Sequence, residues 1–403
     1  MKKRIVNAFR AIDDFVFSHV GPINILFVVR DSLGISCLLP LIREAMKRKD
    51  IKVRITEEID FTGGYEWPIE GEIFELYSEL YIAPSFSSSR KWHYVFTTGN
   101  SNLYFRRNHT KVYTQHSNGY GSLDKKFISN KYIKHLVEDN SHSIYFCNSI
   151  GDYLEMNNYA LGTLAKQFFI SGFPKLDKLF DDQEKKEKPL IIDSGLDFSI
   201  KTIVLASHWN PKSLFNAFDI KIINTLCRIK KYNVIATGHY KLWYEKPELY
   251  KEFEELAIKY DNFCFLPNVT DNTPLLNSAD LFIGDNSSIF IEFCIMDKPI
   301  LFFDHPDLEF MDPDVKTLYE RASFSFSSLD NLDDLVQTAI HHPEEHKANR
   351  KKVVDNFLFR IGNSTKYTID IIEKLGRISG PNSKEWHKVV ELSKEEMSKL
   401  SNT

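Results

Sequence analysis

The 403-residue chain carries 51 Lys and Arg against 55 Asp and Glu, and 43% of its residues are hydrophobic and 13% aromatic. This is a globular composition, long enough for two domains, and a formal charge of −4 excludes general affinity for nucleic-acid phosphates, which needs a basic excess. Five dispersed cysteines with no Cys-x-x-Cys pair exclude a zinc knuckle or a disulfide framework and point to a reducing, cytoplasmic setting.

The first 20 residues contain no signal peptide, and no apolar run in the chain is long enough to span a bilayer. Ile5, Val6, Phe9, Ile12, Phe15 and Val16 recur at helical spacing behind Lys2, Lys3 and Arg4, which predicts a basic amphipathic helix over residues 2–20. Such a helix either lies on a membrane surface or packs its apolar face on its own domain, and the sequence leaves both readings open.

From residue 23 the text is α/β. A buried strand over 23–29, a turn at Arg30-Asp31-Ser32-Leu33-Gly34, a helix over 38–49 and a strand over 51–55 make one βαβ unit. Further strands are expected at 80–83, 94–97, 111–114, 143–147 and 168–170. The mixed-charge run around residues 181–189 reads as a solvated linker spanning 179–200. A second series follows, with strands at 202–206, 234–236, 263–266, 281–283 and 299–303. Its helices are expected at 218–230, 247–260, 332–341, 344–357 and 368–375. The expected fold is therefore two Rossmann-like α/β domains, 1–178 and 201–375, facing a cleft, with one or both of the last helices near 366–375 reaching back towards the first domain and a polar tail over 376–403. No Gly-x-Gly-x-x-Gly fingerprint occurs, so a nicotinamide or flavin cofactor is not expected.

Three histidines stand at predicted strand ends: His116 ahead of Ser117-Asn118-Gly119, His208 after Ser207, and His239 after Gly238. In α/β sheets ligands gather at the carboxyl ends of strands. A histidine there either removes a proton from an attacking hydroxyl or donates to phosphate oxygens; a loop histidine without such duty is the alternative. The turn Gly284-Asp285-Asn286-Ser287-Ser288 leads from a strand into a helix, so its free amides either form an anion site or are merely capped by those side chains. Asp31 and the Ser117-Asn118-Gly119 loop are candidates for the acceptor side. His341, His342 and His346 lie in charged text without metal-binding spacing, and no metal site is expected.

The stretch Ala279-Asp280-Leu281-Phe282-Ile283-Gly284-Asp285-Asn286-Ser287-Ser288, with Glu292 four residues on and Lys298-Pro299-Ile300 after it, resembles the CDP-glycerol glycerophosphotransferase family of teichoic-acid and capsule enzymes. That family reads Ala-Asp, three apolar residues, Thr-Asp-Tyr-Ser-Ser and then an acidic residue. Gly172-Phe173-Pro174-Lys175-Leu176-Asp177 is similar to its Gly-x-Pro-Arg-x-Asp, His116 falls at its Trp-His-Gly and His239 at its Arg-x-His. The chain departs at Ser117 for Gly, at Thr237-Gly238, which offer no Arg before the second histidine, at Asn286 for Tyr and at Glu292 for Asp.

The resemblance implies a GT-B fold and transfer of glycerol or ribitol phosphate from a CDP-linked donor to a glycan or lipid-linked acceptor, without a resident metal. It implies His116 as general base and His239 on the donor diphosphate, with Ser287, Ser288, Asp285, Asn286, Gly238, His208 and Glu292 on the donor side. A glycosyltransferase or epimerase using a UDP- or CMP-sugar, and a non-catalytic scaffold of the same fold, are the alternative readings.

Overall fold

A computed structural model describes residues 12–30, 32–58, 75, 78–99, 101, 103–117, 123, 129–138, 142–160, 162–180, 195–197, 199–228, 230–267, 269 and 271–401. Asp31, Asn118, Gly119, residues 2–11 of the expected N-terminal helix and the run 181–194 lie outside this set.

The chain divides into two compact units, one formed by Met1–His116, Ser129–Asp177 and Phe359–Thr403, the other by Ser117–Ile128 and Lys178–Leu358. In the first unit the strands β1 (Ile23–Val29), β2 (Ile51–Glu57), β3 (Tyr94–Thr97), β4 (Thr110–Thr114), β5 (Ile144–Cys147) and β6 (Gln167–Ile170) form one parallel sheet in the order β2-β1-β3-β4-β5-β6. The second unit repeats the plan with β7 (Lys201–Ser207), β8 (Tyr232–Gly238), β9 (Phe263–Phe265), β10 (Leu281–Gly284), β11 (Ile300–Phe303) and β12 (Phe324–Phe326), ordered β12-β11-β10-β7-β8-β9. Both sheets reverse their strand order once, between β1 and β3 and between β10 and β7, and such reversals open a crevice at the strands' carboxyl ends.

The strands are apolar on both faces because helices cover both sides of a parallel sheet. In the first unit Ile25, Phe27, Tyr94, Phe96, Val112, Ile144, Phe146 and Phe169 point to one core. In the second, Ile203, Leu205, Val234, Ala236, Leu281, Ile283, Leu301 and Phe303 do the same.

Several local expectations are revised. Residues 80–83 are not a strand; Tyr81 makes a single bridge to Ile55. The helix expected over 218–230 breaks into Leu214–Phe218 and Lys221–Cys227, because Asp219 takes a left-handed φ of 50° that an α-helix cannot contain. The three-residue edge strand β12 is too short to have a pattern of its own.

At the end of the chain the helix expected over 368–375 and, with it, the whole of the expected polar tail belong to the first unit. Ile369, Ile371, Ile372 and Leu375 of the helix Ser364–Leu375 enter the first unit's core, together with Ile378, Trp386 and Val389. Trp386 begins a further helix, Trp386–Ser401. Each fully buried aliphatic side chain contributes roughly 1.5–3 kcal/mol, which outweighs the polar composition of the segment.

The Gly172–Asp177 motif receives this returning segment. Gly172 has φ +82°, and a Cβ on it would lie 1.8 Å from the Phe359 carbonyl oxygen. The Asp177 carboxylate then accepts the amides of Ser364 (3.2 Å) and Thr365 (2.6 Å), capping the returning helix.

Residues 12–19 are helical and dock on the first unit through one side only. Phe17 stacks on His93 with ring centroids 3.9 Å apart, and Asp13 and Asp14 pair with Lys91. His93 is held neutral: the Asn24 amide donates to its Nδ1 while its Nε2 donates to the Phe17 carbonyl, and burial lowers its pKa to about 4. Ile12, Phe15, Val16 and Val20 remain exposed, so these four members of the apolar stripe do not pack on the unit. Among the described residues no helix is long and apolar enough to cross a membrane.

Replacing Asp177 by Ala is expected to cost ~1–2 kcal/mol in urea unfolding through loss of the cap. Gly172→Ala should cost more, because both the φ and the close carbonyl oppose a side chain. A wild-type unfolding midpoint for Gly172→Ala would mean that the returning segment packs differently.

Candidate functional site

In the second unit the turn after β10 is built around one carboxylate. Asp285 is fully buried, and its Oδ2 accepts from the Ser207 hydroxyl (3.1 Å), the His208 amide (2.9 Å) and the Leu214 amide (3.0 Å), while Oδ1 accepts from the Ser287 amide (3.2 Å). Burial pushes its pKa up, opposed by these hydrogen bonds. Each of these partners is a donor, so the ionised form is the one the site accommodates. Ser207 and His208 end β7 and Asp285 follows β10, which places this carboxylate where the strand order reverses. Its function here is to tie the two strand ends to the start of the helix Leu214–Phe218.

Two histidines flank it. The Asn210 amide donates to Nδ1 of His208 (3.1 Å), and the Lys241 amide donates to Nδ1 of His239 (3.2 Å). A backbone N–H only donates, so in each ring Nδ1 is unprotonated and Nε2 carries the hydrogen. Burial, with the nearby Lys241 ammonium, lowers the pKa of His208. The two rings are 5.8 Å apart, Trp209 lies 5.4 Å from His208, and the Lys241 ammonium sits 5.1 Å above the Trp209 ring. The Asn210 side chain bridges to Asn286 Oδ1 (3.3 Å). The carboxyl ends of β7, β8 and β10 thus present imidazole N–H groups, an ammonium and amide side chains, a set matched to phosphate oxygens.

The other second-unit candidates divide. Ser287 begins the helix Ser288–Cys294 with its hydroxyl buried and without a partner, while Ser288 is half-buried. Gly238 has a packing reason to be glycine, since a Cβ there would meet the Trp243 ring at 2.7 Å. Glu292 is buried on the helix beside Phe290, Ile291 and Phe293. Asp280 accepts from Lys201 (2.7 Å) and the Thr202 amide (2.9 Å), and Lys298 donates to the Asn277 carbonyl (3.1 Å), so these motif residues join β10 to its neighbours.

In the first unit His116 follows β4, half-buried beside Ser117. Its Nδ1 lies 2.8 Å from the Thr98 carbonyl, which only accepts, so Nδ1 carries the hydrogen and Nε2 of the neutral ring holds the lone pair. That is the tautomer a general base requires. Gln115 beside it accepts the Asn148 amide (2.6 Å), joining the ends of β4 and β5. Close by in sequence and space, Asp152 and Glu155 are buried on the helix Ile150–Tyr159. Burial pushes the Asp152 pKa up to about 6, and burial with the Asp152 charge pushes that of Glu155 up to about 8.

The sequence reading named neither this acid pair nor Asn210 and Lys241. Asn210 and Lys241 each stand two residues after a candidate histidine, which was the available signal. Among the described residues no group of three or more His, Cys, Asp or Glu side chains is placed to hold a metal ion.

Residues 19–374 match the family model described as CDP-glycerol:poly(glycerophosphate) glycerophosphotransferase. The chain is 28% identical over 219 residues to the teichoic acid poly(glycerol phosphate) polymerase of Bacillus spizizenii, covering 51% of this chain and 53% of that protein. It is 24% identical over 286 residues to the minor teichoic acid biosynthesis protein GgaB of Bacillus subtilis, covering 67% of this chain and 29% of that one. The chain thus spans about half, or less, of the relatives it matches. A solved structure of the wall teichoic acid polymerase TagF superposes with a TM-score of 0.62 at 15% identity, covering 93% of this chain and 98% of that one. A UDP-N-acetylglucosamine 2-epimerase superposes with a TM-score of 0.54 at 10% identity, covering 86% and 95%. The fold is accordingly GT-B.

Asp285→Ala leaves several buried donors without an acceptor and should cost roughly 3–5 kcal/mol in urea unfolding. A loss under 1 kcal/mol would remove Asp285 from its organising role. Glu155 binds its proton more tightly folded than unfolded, so its contribution to stability is complete below about pH 4.5 and is lost as pH rises towards about 8. Unfolding free energies measured across that window should fall by up to about 1.4 kcal/mol per pH unit on this account, and Glu155→Gln should flatten the decline. An unchanged slope in the variant would place the effect elsewhere.

Proposed function

The chain belongs to the CDP-glycerol:poly(glycerophosphate) glycerophosphotransferase family, and from that premise we propose that it transfers a polyol phosphate from a CDP-linked donor to a hydroxyl of a glycan or lipid-linked acceptor in cell-surface polymer synthesis. The observation that carries this reading is the pair of neutral histidines at the ends of β7 and β8, fixed by backbone amides with Nε2–H outward from the hydrogen-bonded edge. Donors of that kind stabilise the charge on a diphosphate without an ion having to be recruited.

In the proposed reaction the second unit holds the donor. His239 and His208 donate to its phosphate oxygens, the Ser287 hydroxyl and the Ser288 amide add further donors, and Asn286 and Asn210 border them. Asp285 acts by positioning these groups, and Gly238 and Glu292 act through packing. On the acceptor side, with Asp31, Ser117, Asn118 and Gly119 nearby in sequence, His116 Nε2 takes the proton from the acceptor hydroxyl. The acceptor oxygen bonds to the β-phosphorus, the bond from that phosphorus to the bridging oxygen breaks, and CMP leaves with the electron pair. The reaction is assigned to the cytoplasmic face of the membrane, with the exposed residues Ile12, Phe15, Val16 and Val20 supporting peripheral contact.

A panel of CDP-glycerol, CDP-ribitol, UDP-sugars and CMP-sugars, scored for nucleotide release with and without acceptor, tests the reading. Acceptor-dependent CMP release from a CDP-polyol is expected, and glycerol against ribitol is decided by the preferred donor. Release from a UDP- or CMP-sugar alone would replace the proposal with the glycosyl-transfer reading. His116→Ala should reduce turnover by ~10²–10⁴-fold with CDP affinity nearly unchanged, as expected for loss of a general base. His239→Ala should weaken CDP-donor binding in calorimetry as well as turnover, because its hydrogen bond already exists in the ground state. Near-normal turnover of His116→Ala at saturating substrates would show the base assignment to be wrong.

A further inference from the structure

The helical residues 12–19 present an unusual combination. Their docked side is fixed by Phe17 on His93 and by Asp13 and Asp14 on Lys91, and Arg377 holds the following turn by donating to the Gly21 carbonyl (2.6 Å). Their free side exposes Ile12, Phe15, Val16 and Val20 at 48–63% of their surface. The spacing 12, 15, 16, with 20 just after, keeps these side chains on one side.

At the edge of this stripe Phe15 stacks on His19, with centroids 4.3 Å apart and planes 20° from parallel. His19 in turn lines an open pocket of about 340 Å³ with Ser18, Lys374, Arg377, Glu385 and Lys388. Three cations against one carboxylate give the pocket a net positive charge before His19 is counted. Apolar stripe and cationic pocket therefore adjoin through one stacked pair, all within the first unit.

We propose that this pocket binds the phosphate of a lipid headgroup while Ile12, Phe15, Val16 and Val20 enter the adjoining acyl region. The inference deepens the peripheral membrane contact proposed above and rests on it. Two features favour a lipid over a soluble phosphate as the occupant. Exposed apolar side chains border the pocket on the side of the helix, and a soluble phosphate would leave them in water. The cations also sit where headgroup phosphates lie when an amphipathic helix is embedded at the interface. A second copy of the chain would satisfy the stripe but would meet the same positive pocket with an identical positive surface.

Co-sedimentation with vesicles tests the assignment without any dependence on catalysis. The full chain should partition onto phosphatidylglycerol vesicles and much less onto phosphatidylcholine vesicles. Lys374→Gln and Lys388→Gln alter exposed side chains, and each should lower the partition coefficient roughly 5-fold, the double variant about 25-fold, at unchanged circular dichroism. Phe15→Ser should weaken binding to both vesicle types. A double lysine variant that partitions like the unaltered chain overturns the pocket while leaving the membrane contact standing. Absence of binding by the unaltered chain overturns both, whereas the transferase reading still stands or falls on nucleotide release. Saturable binding of free glycerol phosphate with the same lysine dependence, without vesicle binding, assigns the pocket to a soluble phosphate and overturns the lipid. Self-association that Phe15→Ser abolishes, again without vesicle binding, assigns the stripe to a second copy and overturns it equally.

Discussion

The second unit depends on a single buried carboxylate. Asp285 sits where the order of strands reverses, and without it the ends of β7 and β10 would leave the amides of His208, Leu214 and Ser287 without this acceptor. Burying an ion is costly, and the cost is met only because each nearby donor converges on it. The convergence also fixes position. His208 cannot move without breaking its own amide's bond to Asp285, so the ring on which the proposed chemistry relies inherits the rigidity of two parallel strands.

The central motif therefore has two functions that its linear form does not separate. Asp280 and Lys298 stitch β10 to its flanking segments through Lys201, the Thr202 amide and the carbonyls of Asn277 and Ala279. Gly284 lies so close to the Phe282 ring, 2.4 Å from where its Cβ would be, that no side chain fits. Asp285 organises the turn, and only Asn286, Ser287 and Ser288 remain to meet a ligand. Departure from the family pattern at Asn286 falls in this last group, where a change alters contacts rather than folding; departure at Glu292 falls on a buried helix face.

Much of the fold was legible because parallel strands buried on both faces write continuous apolar runs, as at 23–29, 94–97 and 281–283, and helices between them write a different period. The full extent of the returning segment, 359–403, was not legible. Helical periodicity shows that Ile369, Ile372 and Leu375 share a face, but not which of two sheets that face covers, since that depends on contacts such as Phe359 against Gly172 and Ser364 against Asp177, nearly 190 positions apart in sequence. The strand-end histidines could be found because strand ends can be found. The buried pair Asp152 and Glu155 could not, since acidic residues on a helix ordinarily mark its solvated face.

The histidines also show why identity and position alone under-determine a site. His116, His208 and His239 follow strands in the same way, yet their chemistry differs through the backbone group that meets Nδ1. In His116 that group is the Thr98 carbonyl, which accepts, so the neutral ring offers a lone pair at Nε2. In His208 and His239 it is an amide, which donates, so the neutral rings offer a hydrogen at Nε2. One peptide orientation thus separates a proton acceptor from two proton-bearing hydrogen-bond donors. A phosphoryl transfer needs both kinds, a base for the incoming hydroxyl and fixed donors for the charge that develops on the leaving CMP phosphate.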